Sequence, residues 1–221
     1  MALPPPPDKL ATRVVTDSWP AGARIHRAHP HLFGSAQMDE RPDADSRFST
    51  IRSPDTVIPV LYGGESHRSA ASETIFHTVD APGGAARPRR VSVSKFRSWQ
   101  WSEVVTSRTL QLVRFDGVGL ERLGVSRQDL IESDRRSYPL TRTWGQDIAV
   151  TCPEIDGLWW MSRQDPAQWA VVLFGHVGGR EGGVRAGDLV ADGPALPFAL
   201  PQGLDLLDQL GIDLGVTVVR P

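Results

Sequence analysis

Two short stretches early in the chain carry polar groups in apolar or small surroundings: "ARIHRAH" at residues 23–29, with Arg24, and "LYGGESHRSAASETIF" at 61–76, with Tyr62 and Glu73. An arginine offers a planar fork that binds a phosphate through paired charged hydrogen bonds. A tyrosine ring can stack on a flat heterocycle. A fixed carboxylate stabilises positive charge developing on a neighbouring carbon. Ala71, Ile75 and Val79 recur at spacing four, with Phe76 widening the stripe, so the second stretch reads as a helix. Glu73 lies three residues before Phe76, at the edge of that apolar stripe, where a carboxylate needs a partner. Further on, "DGLWWMS" ends in Ser162, where a buried strand would emerge and turn a hydroxyl toward a cleft.

The elements that must hold these groups follow from periodicity. "ARIHRAH" alternates as a strand, residues 30–50 are polar and turn-rich and read as a long loop returning into a strand near Phe48, and "TVIPVLYGG" is a third apolar run ending in two glycines. The helix after it takes Ser66 as its cap. Residues 80–88, "DAPGGAARP", form a loop; "RVSVSKF", "QWSEVVT" and "LQLVRFD" alternate with period two as an antiparallel set. "GLERLGVSRQDLIE" offers two short helical pieces, with Ser126 and Asp129 spaced as a capping box, and "YPLTRTWGQDIAVTC" a longer helix with Trp144, Ile148 and Cys152 at spacing four. "DGLWWMS" and "WAVVLFG" flank a polar turn as a hairpin-like pair, and the C-terminal part runs through a helix, "LDLLDQLGI", to a strand, "GVTVV". The sum is an α+β domain over residues 13–221, with central mixed or antiparallel sheets and short helices, behind a proline-rich arm at residues 1–12.

Bulk properties narrow the function classes. The 221 residues are 40% hydrophobic and 23% charged with a formal net charge of -2, so no broad positive field draws in nucleic acid or an anionic membrane. A single cysteine, Cys152, excludes a disulfide framework and suits a reducing compartment. No signal core and no run of eighteen apolar residues occurs, so the expected location is the cytoplasm.

Other candidate sites are weaker. His26, His29 and His31 invite a metal, but they lack helical ligand spacing and Pro30 interrupts them, so no metal is expected. Cys152, in register with Ile148, reads as core. The glycine-rich "GHVGGREGGVRAG" at 175–187 lacks the lysine-serine/threonine ending of a P-loop and reads as a flexible hairpin.

Taken in order, "ARIHRAH", the arginine of "DSRFST" (Arg47), the strand end "LYGGES", a glutamate eleven residues after that tyrosine, and "DGLWWMSRQD" followed by "WAVVLFG" resemble the RES-domain family, the toxin half of RES/Xre toxin–antitoxin pairs, over about residues 10–178. Two departures stand out: "RFST" lacks the family's tryptophan-asparagine-proline run, and "YGGE" replaces its usual small-acidic ending. The resemblance implies a fold like that of ADP-ribosyltransferases and an enzyme that consumes NAD, cleaving the nicotinamide–ribose bond with water or inorganic phosphate as acceptor, and held in check by an Xre-like antitoxin. Carried over, Arg24, Glu73 and Ser162 are the expected catalytic residues, with Arg24, Tyr62, Arg47 and Ser162 binding NAD. Arg24 would anchor the diphosphate and Glu73 would face the ribose. Two alternatives stay open: transfer of ADP-ribose to a protein, and a catalytically silent RES-fold binding module.

Overall fold

The computed structural model describes residues 3–53, 56–77, 79 and 89–220. In chain order its elements are β1 (Thr16–Trp19), β2 (Arg24–Pro30), β3 (Ile51–Ser53), β4 (Thr56–Ile58), β5 (Val60–Gly64), α1 (His67–Thr74), β6 (Arg90–Ser92), β7 (Trp99–Thr106), β8 (Leu110–Phe115) and α2 (Gly117–Leu123). There follow α3 (Arg127–Leu130), α4 (Tyr138–Thr151), β9 (Gly157–Met161), β10 (Trp169–Phe174), β11 (Leu189–Ala191), β12 (Leu196–Pro197), α5 (Pro201–Asp213) and β13 (Thr217–Val219). None of the described helices is long and apolar enough to cross a membrane.

A nine-stranded sheet in the order β1-β8-β9-β10-β5-β2-β7-β11, with β12 also on β7, organises the chain. Its ladders are antiparallel except β8–β9, which is parallel. The connections force this sheet to curl. β1 and β2 stand five places apart, as do β8 and β7, which in a flat sheet is about 24 Å. Residues 20–23 and 107–109 join those pairs, and such short links span at most roughly 14–17 Å even fully extended. The two ends of the sheet therefore face each other, and the link out of β1 joins the β2–β7 ladder at once, where Gly22 donates to the Thr106 carbonyl (2.7 Å).

Alternation along the strands then sorts side chains to the inside and outside of the curl. Ile25, Leu61, Val104, Leu110, Leu112, Val171 and Leu173 fill the inside with Trp19. Outside, Val113, Phe115, Leu158, Trp160, Val172 and Phe174 pack against Trp144, Ile148 and Cys152 of α4, so the spacing-four stripe and the buried cysteine stand as expected. On the neighbouring outer face, Ala28 and Trp101 meet Ala71 of α1 and Leu207 and Leu210 of α5. Trp101 Nε1 donates to the Gly203 carbonyl (3.1 Å), which keys α5 to β7.

Several sequence expectations change in detail. "TVIPVLYGG" is two strands, because Pro59 has no N–H to continue a ladder: β4 pairs with β3 as a separate hairpin, and β5 enters the large sheet. "RVSVSKF" is strand only through Ser92, then turns 3-10 helical, and its β6 pairs in parallel with β13. β7 and β8 alternate as expected but lie on opposite sides of the sheet and do not pair with each other. The 80–88 loop lies outside the described residues. The proline-rich arm is bound into the core: Leu3 and Leu10 are buried with α4, and Trp144 Nε1 donates to the Pro4 carbonyl (2.9 Å). In the glycine-rich segment, buried Arg180 donates to the carbonyls of Ala149 and Ile155, and the Gly183 N–H donates to Asp156 (2.9 Å). That pins the segment to the end of α4.

Candidate active site

α1 begins where Ser66 Oγ accepts from the N–H groups of Arg68 (3.1 Å) and Ser69 (3.3 Å), while Ser69 Oγ accepts from the Ser66 N–H (3.1 Å). That reciprocal cap satisfies N–H groups a helix start would leave orphaned. Ser69, Ala70, Ala71 and Ser72 are buried, a face of small side chains that lets the helix lie close on β2 and β5. It ends with the N–H groups of Ile75 and Phe76 both on the Ala71 carbonyl, so Val79 lies beyond the helix although it shares the same buried cluster. Glu73 is thereby delivered, in the last turn, to a cleft of about 260 Å³.

The Glu73 carboxylate is held from the end of β9. Trp160 Nε1 donates to one oxygen (3.3 Å) and the Arg163 N–H to the other (3.0 Å). Trp160 is itself locked between Phe48 and the edge of Tyr62, at ring separations of 5.3 and 6.5 Å. Among the described residues Glu73 makes no ion pair, so its charge is oriented by dipoles and left facing the cleft.

Arg47 comes from the loop between β2 and β3. It is 8% exposed and donates to the Leu130 carbonyl (3.0 Å), Ser133 Oγ (2.9 Å) and the Ser133 carbonyl (3.2 Å), with its guanidinium over the Tyr138 ring. These bonds use three of five N–H donors and no carboxylate. Burial lowers its pKa, while Tyr138, Glu73 and Tyr62 oppose the shift and Arg163 adds to it, which places all four in its electrostatic neighbourhood. Tyr62 lines the same cleft, and its hydroxyl accepts from the Phe48 N–H (3.0 Å) and Ser46 Oγ (2.8 Å), pinning the Arg47 loop to β5; burial raises its pKa.

Glu73, Tyr62 and Arg47 are thus brought together, whereas Arg24 and Ser162 are not. Arg24 shares an outer face of β2 with His26 and Ala28, is half exposed, and is spent on Glu103 (2.5 Å) and Asp192 (2.6 Å). The arginine of this strand that lines the cleft is Arg27, three residues on and of opposite parity. It is 5% exposed and donates to the carbonyls of Tyr62 (3.3 Å), Gly34 (3.3 Å) and Ser35. Burial pulls its pKa down to about 9, with Asp39 opposing, so it stays charged near neutrality. Ser162 is fully buried and its Oγ has no hydrogen-bond partner among the described residues. Its backbone carbonyl takes Arg127, and its neighbour Arg163 is the residue that reaches the cleft.

Sequence reading also missed Ser72, His77, Trp99, Arg163 and Tyr138 in the lining. Burial lowers the pKa of His77 and so disfavours its charged form, while Nδ1 meets the Thr74 carbonyl (2.7 Å). The position of Arg163, one residue past the expected serine, was the available signal. Of the other lining charges, Arg41 pairs with Asp39, and Asp45 with Arg135 and Arg142. Arg27, Arg47 and Arg163 make no ion pair among the described residues, so cations outnumber anions at this site.

Fold and cleft define a class: a single α+β domain whose curled mixed sheet carries an arginine-rich cleft in which one carboxylate, that of Glu73, makes no ion pair among the described residues. The RES domain model matches residues 21–192, and the chain belongs to the RES domain family. The structure is similar to a chain of the crystal structure of the M. tuberculosis MbcT–MbcA toxin–antitoxin complex, with TM-score 0.57 and 14% identity over 89% of this chain and 94% of that one. At that identity the likeness concerns the fold. Comparison with curated proteins finds no match.

Proposed function

We propose that the protein binds NAD in this cleft and cleaves its nicotinamide–ribose bond. The observation that carries the reading is the juxtaposition of Glu73, unpaired and held by two N–H donors, with the buried, unneutralised Arg47. A dinucleotide needs both: a fork for its diphosphate, and a negative group beside the sugar that becomes cationic as the base leaves. Among the described residues two N–H donors of Arg47 take no partner, which leaves them for phosphate oxygens. The cavity of about 260 Å³ is below the roughly 300–1,000 Å³ of drug-sized ligand sites, which suits one end of the dinucleotide with the rest reaching outward. Tyr62 and Trp99 offer aromatic surface for the nicotinamide.

In the reaction the C1′–N bond breaks with its electron pair passing to the nicotinamide ring, which leaves neutral. An oxygen of water or inorganic phosphate bonds to C1′, and the acceptor's proton passes to solvent. Glu73 stabilises the oxocarbenium-like ribose between these events. The protein acts as a toxin that arrests growth by depleting NAD, and an antitoxin, Xre-like by family resemblance, restrains it. The family and the toxin–antitoxin complex with the same fold support that assignment.

Incubating purified protein with NAD, with and without phosphate, and following free nicotinamide tests this. Release is expected, and Glu73→Gln should lower the rate about 10²–10³-fold with an unchanged fold. Label appearing on protein would identify transfer as the reaction. NAD left intact would leave a silent module, in which the site arginine and glutamate should have paired with each other; among the described residues Arg47 and Glu73 do not.

A further inference from the structure

On the outer face of the sheet, away from the cleft lining, three side chains from three elements converge: His26 of β2, Glu103 of β7 and His67, the first residue of α1. His26 and Glu103 are direct partners in the β2–β7 ladder, so both project on one face, and α1 lowers His67 onto them. His26 Nδ1 lies 3.5 Å and His67 Nε2 3.8 Å from the same Glu103 oxygen, and all three ligand atoms lie within 4.8 Å of one another. His26 Nδ1 is buried without a hydrogen-bond partner, and His67 makes no hydrogen bond among the described residues. The rings meet edge to face at 4.6 Å.

We propose that His26, His67 and Glu103 form a divalent transition-metal site, zinc being the favoured ion. Two imidazoles and one carboxylate are a donor set zinc takes readily, and ligands 2.0–2.1 Å from a tetrahedral ion stand about 3.3 Å apart. The observed separations need to close by only a few tenths of an ångström up to about 1.5 Å. Arg24 donates to the other Glu103 oxygen (2.5 Å) and is itself held by Asp192, so it orients the carboxylate as outer partners of metal ligands do. Glu103, Asp192 and Arg24 together leave one net negative charge to attract the cation. The site is partly open, with side-chain exposures of 16%, 23% and 23%, which admits the ion and a water as further ligand. Its consequence is mechanical: a bound ion ties the start of α1 to β2 and β7, and six residues along the same helix stands Glu73.

The test uses tag-free protein stripped with EDTA and dialysed, titrated with zinc chloride by calorimetry and with cobalt(II) by visible absorption. One zinc per chain, tetrahedral-type cobalt bands, and a zinc-dependent rise in melting temperature are expected. His67→Gln and Glu103→Gln should each weaken zinc binding at least about a hundredfold, since loss of mere outer-shell partners already costs about 10–100-fold. His31→Gln, at an exposed loop histidine, should bind as the parent does. Melting curves in EDTA confirm that each variant is folded, and His26→Gln serves as a further ligand variant. Absence of saturable one-to-one binding, or binding that survives in the folded His67→Gln and Glu103→Gln variants, overturns the proposal.

Discussion

The clearest contrast between residues is that of two arginines with opposite surroundings. Arg24 is half exposed and neutralised by Glu103 and Asp192; Arg47 is buried, unneutralised, and near Glu73. Arg47→Lys keeps the charge and removes the planar fork, so kcat/KM for NAD should fall about tenfold or more, the usual worth of a charge-assisted hydrogen bond. Arg24→Ala should leave it within about twofold, because that side chain does not reach the cleft; this corresponds to at most about 0.4 kcal/mol. Steady-state nicotinamide release in EDTA measures both, and equal losses would return Arg24 to the site. Ser162 is a different case, since its unpartnered Oγ is sealed from the cleft while the backbone just after it positions Glu73.

Among the elements, the crossing of β2 and β5 is what brings the loop of Arg47 and the helix of Glu73 to one opening. That crossing depends on Gly63, where a Cβ would stand 2.3 Å from Ile25 Cγ2 and 2.9 Å from the His26 carbonyl oxygen. Neither neighbour is a free-swinging chain end: Ile25 is fully buried inside the curl and the carbonyl is backbone. Gly63→Ala should therefore destabilise the fold by about 1–3 kcal/mol, as other overpacked interiors do. Urea unfolding measures it, and a change below about 0.5 kcal/mol would mean that β2 yields without cost. The same crossing carries His26 toward His67, so the cleft and the proposed metal site share one scaffold.

For the molecule as a whole, one buried and one half-buried histidine contribute to the response to acid. Burial pulls His29 from an ordinary 6.5 down to about 4, with Arg27 adding to the shift, and His67 likewise falls to about 4. A folded pKa below the unfolded one means that the unfolded chain takes up the proton first as pH falls. Stability is then full above about 6.5 and declines between 6.5 and 4, His29 alone accounting for about 3 kcal/mol by the lower limit. Urea midpoints of metal-free protein across that range should drop. His29→Gln should flatten the slope by about 1.4 kcal/mol per pH unit. A parent midpoint that stays level from neutrality to pH 4.5 would contradict the assignment.

Much of this could be read in the chain before it was folded. Residue order carried the family, and local periodicity carried β2, β7, β8, α1 with its Ser66 cap, α4 and the β9–β10 pair, because side-chain alternation and helix caps depend on near neighbours. Glu73 was recognisable as a rim carboxylate for the same reason. Three-dimensional packing decided the rest. Which arginine of "ARIHRAH" enters the cleft turned on which end of β2 borders it and on Glu103 and Asp192, 79 and 168 residues away from Arg24. The order of the curled sheet separated β7 from β8 although they are consecutive. The meeting of His26, His67 and Glu103 has no sequence spacing at all, since it is made by a ladder register and a helix packed across it.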